Sequence, residues 1–171
     1  MTAEGLTYKM PLEVYLQAAV IRGVLETNQS RLSSHLILRE GDEVFMLRAA
    51  SLERLDRTTI AAGSDEYLIY MQEIFLIADL SPQAERFGVE NLFVKKESSR
   101  ALLSVGPYWL QGNIHILPGG ALHDLLMART RFVPVTEATL LDRPEKDSRT
   151  YLVNRTKIGF ITALNESLVE L

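Results

Sequence analysis

One pattern occurs twice along this chain, and that repetition constrains the fold more than any single motif does. The first copy reads Val20-Ile21-Arg22-Gly23-Val24-Leu25 and the second Trp109-Leu110-Gln111-Gly112-Asn113-Ile114: an apolar pair, a polar residue, a glycine and a return to apolar character. A short helical piece follows in each. Arg31-Leu32-Ser33-Ser34-His35-Leu36 corresponds to Ala121-Leu122-His123-Asp124-Leu125-Leu126, with Leu32 on Leu122 and Leu36 on Leu126. The i, i+4 spacing puts each leucine pair on one helical face. Residues 44–52 then match 132–140, so that Ala50 falls on Ala138, and the tyrosine-led stretch 67–77 matches 151–161. The offset between copies drifts from 89 at the glycine to 90, 88 and finally 84. Length changes therefore fall in the polar connections 27–30, 39–43 and 56–66, where loops tolerate them.

The runs rich in Val, Ile, Tyr and Phe between turn signals predict strands. In the first half these are 14–19, 21–26, 44–51, 58–61, 67–70 and 73–78, and in the second 101–105, 109–116, 132–141, 150–154 and 157–162. A glycine inside a strand pattern marks a bulge or sharp bend, which is the role expected of Gly23 and Gly112. In a small barrel such a bend lets one strand serve two sheets. Between the halves, Ser81-Pro82 can start a short helix and Gly88 can end it. The expected fold is therefore mainly β: two tandem, sequence-related, small barrel-like units, each with a short helix. The expected division is 1–80 for the first repeat, 81–100 for a helical connector and 101–171 for the second repeat.

The two-copy pattern resembles an uncharacterised family of bacterial proteins with a duplicated small β domain. The resemblance rests on Gly112-Asn113-Ile114-His115, the helix 121–126, the strand 132–139 and Tyr151-Leu152-Val153-Asn154-Arg155. It implies an architecture and no activity. Each copy also resembles an Sm-like barrel through Gly23, Ala50, Ile74 and Ile77, and again through Gly112, Ala138, Ile158 and Ile161. The glycine that the Sm-type pattern places between its last two strands is absent from Met71-Gln72-Glu73 and from Arg155-Thr156-Lys157. The aspartate and asparagine of the Sm RNA-binding loop have no counterpart at recognisable spacing, and a helix-forming insert stands in that place.

Composition narrows the chemistry. The 171 residues contain no cysteine, which removes disulfides, thiolate nucleophiles and Cys-based metal sites. A formal net charge of −4 gives no global basic field for nucleic acid. The start of the chain shows no basic segment followed by an apolar run, and no stretch approaches the ~20 apolar residues of a membrane span. A cytoplasmic protein is expected, with no membrane partner. No Gly-x-Ser-x-Gly elbow and no His-Glu-x-x-His spacing occurs. The one local cluster with chemical potential is His115, His123 and Asp124. Pro118-Gly119-Gly120 ahead of the second helix lacks the lysine of a phosphate loop and reads as a turn. Arg129, Arg131, Arg149, Arg155 and Lys157 make the second copy locally basic, and with Lys95, Lys96 and Arg100 of the connector they could form a patch.

These features point to a non-enzymatic interaction or assembly module without a cofactor. Its expected partners are further copies of itself or another protein. The competing expectation is an Sm-like domain for RNA or a small anion. The surface residues singled out for a ligand or partner are His115, His123, Asp124 and Arg155.

Overall fold

A computed structural model describes residues 5–81 and 97–165. The chain divides into two compact units, Met1–Ser81 and Pro82–Leu171. The expected connector helix, 81–88, lies outside the described residues apart from Ser81. No helix among the described residues is long and apolar enough to cross a membrane.

In the first unit the strands are β1 (Tyr8–Tyr15), β2 (Ala19–Thr27), β3 (Val44–Arg54), β4 (Thr59–Tyr70) and β5 (Leu76–Asp79). Helix α1 (Leu32–Leu38) lies between β2 and β3, and a 3-10 turn, Met71–Glu73, lies between β4 and β5. The strands form an antiparallel sheet in the order β5-β1-β2-β3-β4. The second unit has β6 (Glu97–Val105), β7 (Tyr108–Ile116), α2 (Leu122–Leu126), β8 (Phe132–Leu140), β9 (Arg149–Asn154), a 3-10 turn at Arg155–Lys157, and β10 (Ile158–Ala163). Its order is β10-β6-β7-β8-β9, also antiparallel.

Strand order and register coincide between the units. Leu12 faces Gly23 as Ala101 faces Gly112. Val14 faces Ile77 as Leu103 faces Ile161. Met46 faces Leu68 as Pro134 faces Leu152. The offsets these pairs define are 89 for β1 and β2, 88 for β3, and 84 for β4 and β5, in agreement with the drift read from the sequence.

The core follows from period-two alternation. Met10, Leu12 and Val14 on β1 meet Ile21, Gly23 and Leu25 on β2, while Ala101, Leu103 and Val105 on β6 meet Tyr108, Leu110, Gly112 and Ile114 on β7. Each fully buried aliphatic side chain contributes about 1.5–3 kcal/mol before entropy is counted. The glycines sit where ladders break: the β2–β3 register shifts between Arg22 and Val24, and the β7–β8 register between Gln111 and Asn113. On the facing strand Glu137 takes a positive φ of 47°. The β6–β7 hairpin turns on Gly106-Pro107, with Gly106 at φ 57°, a value suited to the first central position of a tight two-residue loop.

Several expectations need correction. The sheets are open rather than closed barrels: β4 does not pair with β5, nor β9 with β10. Strand β1 ends at Tyr15 because residues 16–19 make a turn, with the Leu16 N–H donating to the Ala19 carbonyl at 2.8 Å. The strands expected at 58–61 and 67–70 are one strand, β4. The stretch expected at 73–78 begins as a 3-10 turn and becomes a strand only at Leu76. In α1 both Leu32 and Leu36 are buried, but in α2 it is Leu125 that is buried. Leu122 and Leu126 are only half-buried, since a single five-residue turn points one leucine fully inward.

Candidate interaction surface

Among the described residues strand β4 pairs only with β3 and so ends the sheet of the first unit. The paired residues are Val44 with Tyr70, Phe45 with Ile69, Met46 with Leu68 and Leu47 with Tyr67. Phe45, Leu47 and Ile69 point into the core. Val44, Met46, Leu68 and Tyr70 stand on the other face as two adjacent cross-strand pairs, and all four are exposed, Leu68 to 69% and Tyr70 to 61%. The next pair on that face, Arg48 with Glu66, is charged and bounds the apolar ladder. Single exposed apolar residues are ordinary, but a contiguous group on an unpaired edge marks a contact surface.

Of the same four positions in the second unit three are buried, and Pro134, at the position of Met46, is half-buried. Leu152, at the position of Leu68, is 4% exposed, and Asn154, at that of Tyr70, is 0% exposed. Phe132, at the position of Val44, is buried as well. The last strands show the reverse contrast. Leu76, Ile77 and Ala78 of β5 are buried on both faces, whereas β10 leaves Phe160 at 43% and Thr162 and Ala163 exposed. Phe160 packs edge-on against Trp109 at 5.5 Å between ring centroids. The register explains the contact: Phe160 and Trp109 both face Ser104 from either side of β6.

The residues singled out from the sequence have different roles. His115 Nε2 lies 2.8 Å from the Thr136 hydroxyl, a strand-to-strand contact. His123 is exposed on α2. The Asp124 carboxylate accepts the Ala121 N–H at 2.8 Å, and the Asp124 N–H donates to the Ala121 carbonyl, so Asp124 caps the start of its own helix. Arg155 Nε donates to the Thr130 carbonyl at 3.1 Å and Nη1 to the Leu126 carbonyl at 3.4 Å, which ties the 3-10 turn to the end of α2. No group of three or more His, Asp and Glu residues among those described is placed to hold a metal ion.

Part of the basic group is engaged in the same way. Arg100 Nη1 donates to the Glu137 carbonyl at 3.0 Å, and Arg149 pairs with Glu145 at 3.7 Å. Lys95 and Lys96 lie outside the described residues. Pro118-Gly119-Gly120 forms a turn closed by the Gly120 N–H on the Leu117 carbonyl at 2.8 Å, with Gly119 at φ 78°, as a Pro-Gly type II turn requires.

Among the described residues of the first unit one charged group is buried. The Glu13 carboxylate, 1% exposed, accepts from the Tyr15 hydroxyl at 2.6 Å and from the Arg22 guanidinium across the β1–β2 pair. The second unit has Leu102, Ser104 and Gln111 at these positions, so the ionic cluster belongs to one unit alone.

The β3–β4 ladder escaped the sequence reading, although a signal was present. Tyr67-Leu68-Ile69-Tyr70-Met71 is a continuous apolar run without the alternation of a half-solvated strand. No protein-family model, curated protein or solved structure matches the chain.

Proposed function

We propose that this chain is a non-catalytic interaction module of the cytoplasm, built from two copies of a small Sm-like β unit, that associates by strand addition at an open sheet edge. The observation that carries the reading is the exposed ladder of Val44, Met46, Leu68 and Tyr70 on and beside the edge strand β4. An edge offers unpaired N–H and C=O groups to another strand, and the ladder beside it adds apolar area that such an addition would bury. The common strand order, the matching registers and the paired glycine bulges support duplication of one unit.

The competing reading, an RNA or small-anion site, has less behind it. Arg100 and Arg155, which would contribute to a basic patch, already donate to backbone carbonyls.

The test compares the wild-type chain with Leu68→Glu, a change at an exposed position. Solution mass and affinity capture are measured for both. The expected result is an association, with its own copies or with another protein, that requires Leu68. Absence of any Leu68-dependent association rejects the module. Leu68-independent retardation of short RNAs at low salt favours the competing reading instead.

A further inference from the structure

We infer that the partner of β4 is strand β10 of a second copy of the same chain, so that copies join head to tail. This rests on the reading above that the β4 edge is an association site.

By register, β4 and β9 are the same strand of the unit, and so are β5 and β10. The first kind carries Leu68 and Tyr70 exposed in β4 but Leu152 and Asn154 buried in β9. The second kind carries Leu76 and Ala78 buried in β5 but their counterparts Phe160 and Thr162 exposed in β10, with Ile161 half-buried where Ile77 is buried. The chain thus buries one strand of each kind and exposes one of each kind. An assembly that brings the two exposed kinds together would give them the burial that their equivalents already have.

Composition supports β10 as an edge meant to be used. Soluble proteins blunt an open edge with lysine, other charges or proline. The six residues of β10, Ile158-Gly159-Phe160-Ile161-Thr162-Ala163, contain none of these. Its exposed Phe160 is held edge-on to the exposed Trp109, so an aromatic surface lies beside the bare edge. On β4 the residues Tyr67 to Tyr70 are likewise uncharged, and their outward members are Leu68 and Tyr70. Strand β10 and the Tyr67–Tyr70 end of β4, beyond the charged Asp65 and Glu66, therefore each offer an uncharged stretch flanked by large apolar side chains.

A contact between two different surfaces is heterologous, and each added copy presents a fresh β4 and a fresh β10. Growth stops only if the rotation per contact closes a ring; otherwise it gives a filament. A contact of β4 with β4, or of β10 with β10, would instead be isologous and stop at two copies.

The test uses the full chain and three variants at exposed positions: Leu68→Glu on β4, and Phe160→Glu and Ala163→Glu on β10. Ala163 makes no ring contact, so its variant keeps the test open if Phe160→Glu unfolds the second unit. Mass is measured by light scattering and sedimentation from low to high micromolar, with circular dichroism confirming folding. The wild-type chain is expected to form species larger than a dimer, and each variant alone to run as a monomer. Mixing Leu68→Glu with a β10 variant restores one intact edge of each kind and is expected to give a heterodimer and nothing larger. Loss of assembly in Leu68→Glu only, with the β10 variants still dimeric by themselves and no heterodimer on mixing, identifies an isologous β4 contact and overturns the inference. A wild-type monomer throughout the range also overturns it. If that monomer captures another protein in a Leu68-dependent way, the module stands and only self-association fails.

Discussion

Gly112 lies directly against Ala138. A Cβ placed on Gly112 would stand 2.6 Å from the Ala138 Cβ, 2.7 Å from Val135 Cγ1 and 3.0 Å from the Ala138 Cα. One of these neighbours is backbone, so the site cannot relax by a side-chain rotation alone. Gly112→Ala is expected to destabilise the second unit by about 1–3 kcal/mol, the usual cost of overpacking. Urea denaturation checks this, with Gly41→Ala as the control, since nothing lies within 4 Å of a Cβ at Gly41. Equal midpoints for the two variants would show that the bulge is not a tight contact.

Leu68 and Leu152 occupy the same position in the two units yet differ in exposure, 69% against 4%. Leu152→Ala is expected to cost about 2–5 kcal/mol, as for a buried leucine. Leu68→Ala should stay within about 0.5 kcal/mol when measured at concentrations too low for assembly. Thermal or chemical denaturation of both variants checks the contrast.

Tyr15 is fully buried and its hydroxyl donates to the buried Glu13 carboxylate at 2.6 Å. Tyr15→Phe keeps the ring and removes the donor. The expected loss is about 1.5–3 kcal/mol, the range for a hydrogen bond to a charged group. A loss below about 0.5 kcal/mol in urea unfolding would mean that Glu13 is satisfied without this hydroxyl.

His35 gives the first unit a pH dependence. Its Nδ1 lies 2.8 Å from the Thr27 hydroxyl and its ring meets Phe45 edge-on at 6.2 Å. Burial holds the imidazole below its ordinary pKa, with the charge of Arg39 adding to the depression and that of Asp42 opposing it. As pH falls, the unfolded chain takes up this proton before the folded one. Stability from this group is therefore complete above about pH 7, declines through about 6.5 and levels off once the folded imidazole is protonated too. Urea midpoints between about pH 5 and 8 should show the decline in the wild type and a shallower one in His35→Gln. Identical slopes would remove His35 from the account.

Arg155 bonds two carbonyls, those of Thr130 and Leu126, through different nitrogens of its planar head. A lysine ammonium is a single point and cannot reproduce that fork. Arg155→Ala and Arg155→Lys should both destabilise the second unit, by about 1–3 kcal/mol for the alanine. Full rescue by lysine in a thermal melt would contradict this role.

How far the sequence foretold the structure depended on the range of the interactions involved. Gly23 and Gly112 were legible as bulges because a strand-interior glycine has few other uses. The shifting offset between copies was legible because paired strands preserve spacing while loops do not. The turn at 16–19 was not legible, since Leu16, Ala18 and Ala19 continue an apolar run and only the hydrogen bond from Leu16 to Ala19 ends the strand. The role of Arg155 was hidden because its partners lie 25 and 29 residues away. Asp124 was the opposite case: its position three residues past Ala121, at the third residue of a short helix, already suits a cap, and its place beside a histidine suggested a ligand or partner surface instead. The exposed ladder was concealed because an apolar run predicts burial and does not say which strand ends a sheet.

In each unit the first strand is bonded to the last: β1 to β5 as well as β2, and β6 to β10 as well as β7. This arrangement sets a timetable for folding during synthesis. The β1 edge from Leu12 to Tyr15 has no intra-unit partner until residues 76–79 have left the ribosome, although β1 and β2 can pair long before. Non-local closure of this kind is slow, because the loop entropy is lost before the contacts form. A nascent first unit therefore carries a bare strand edge for most of its synthesis, and stalling translation just before residue 76 should leave it far more open to proteolysis than stalling well beyond residue 79.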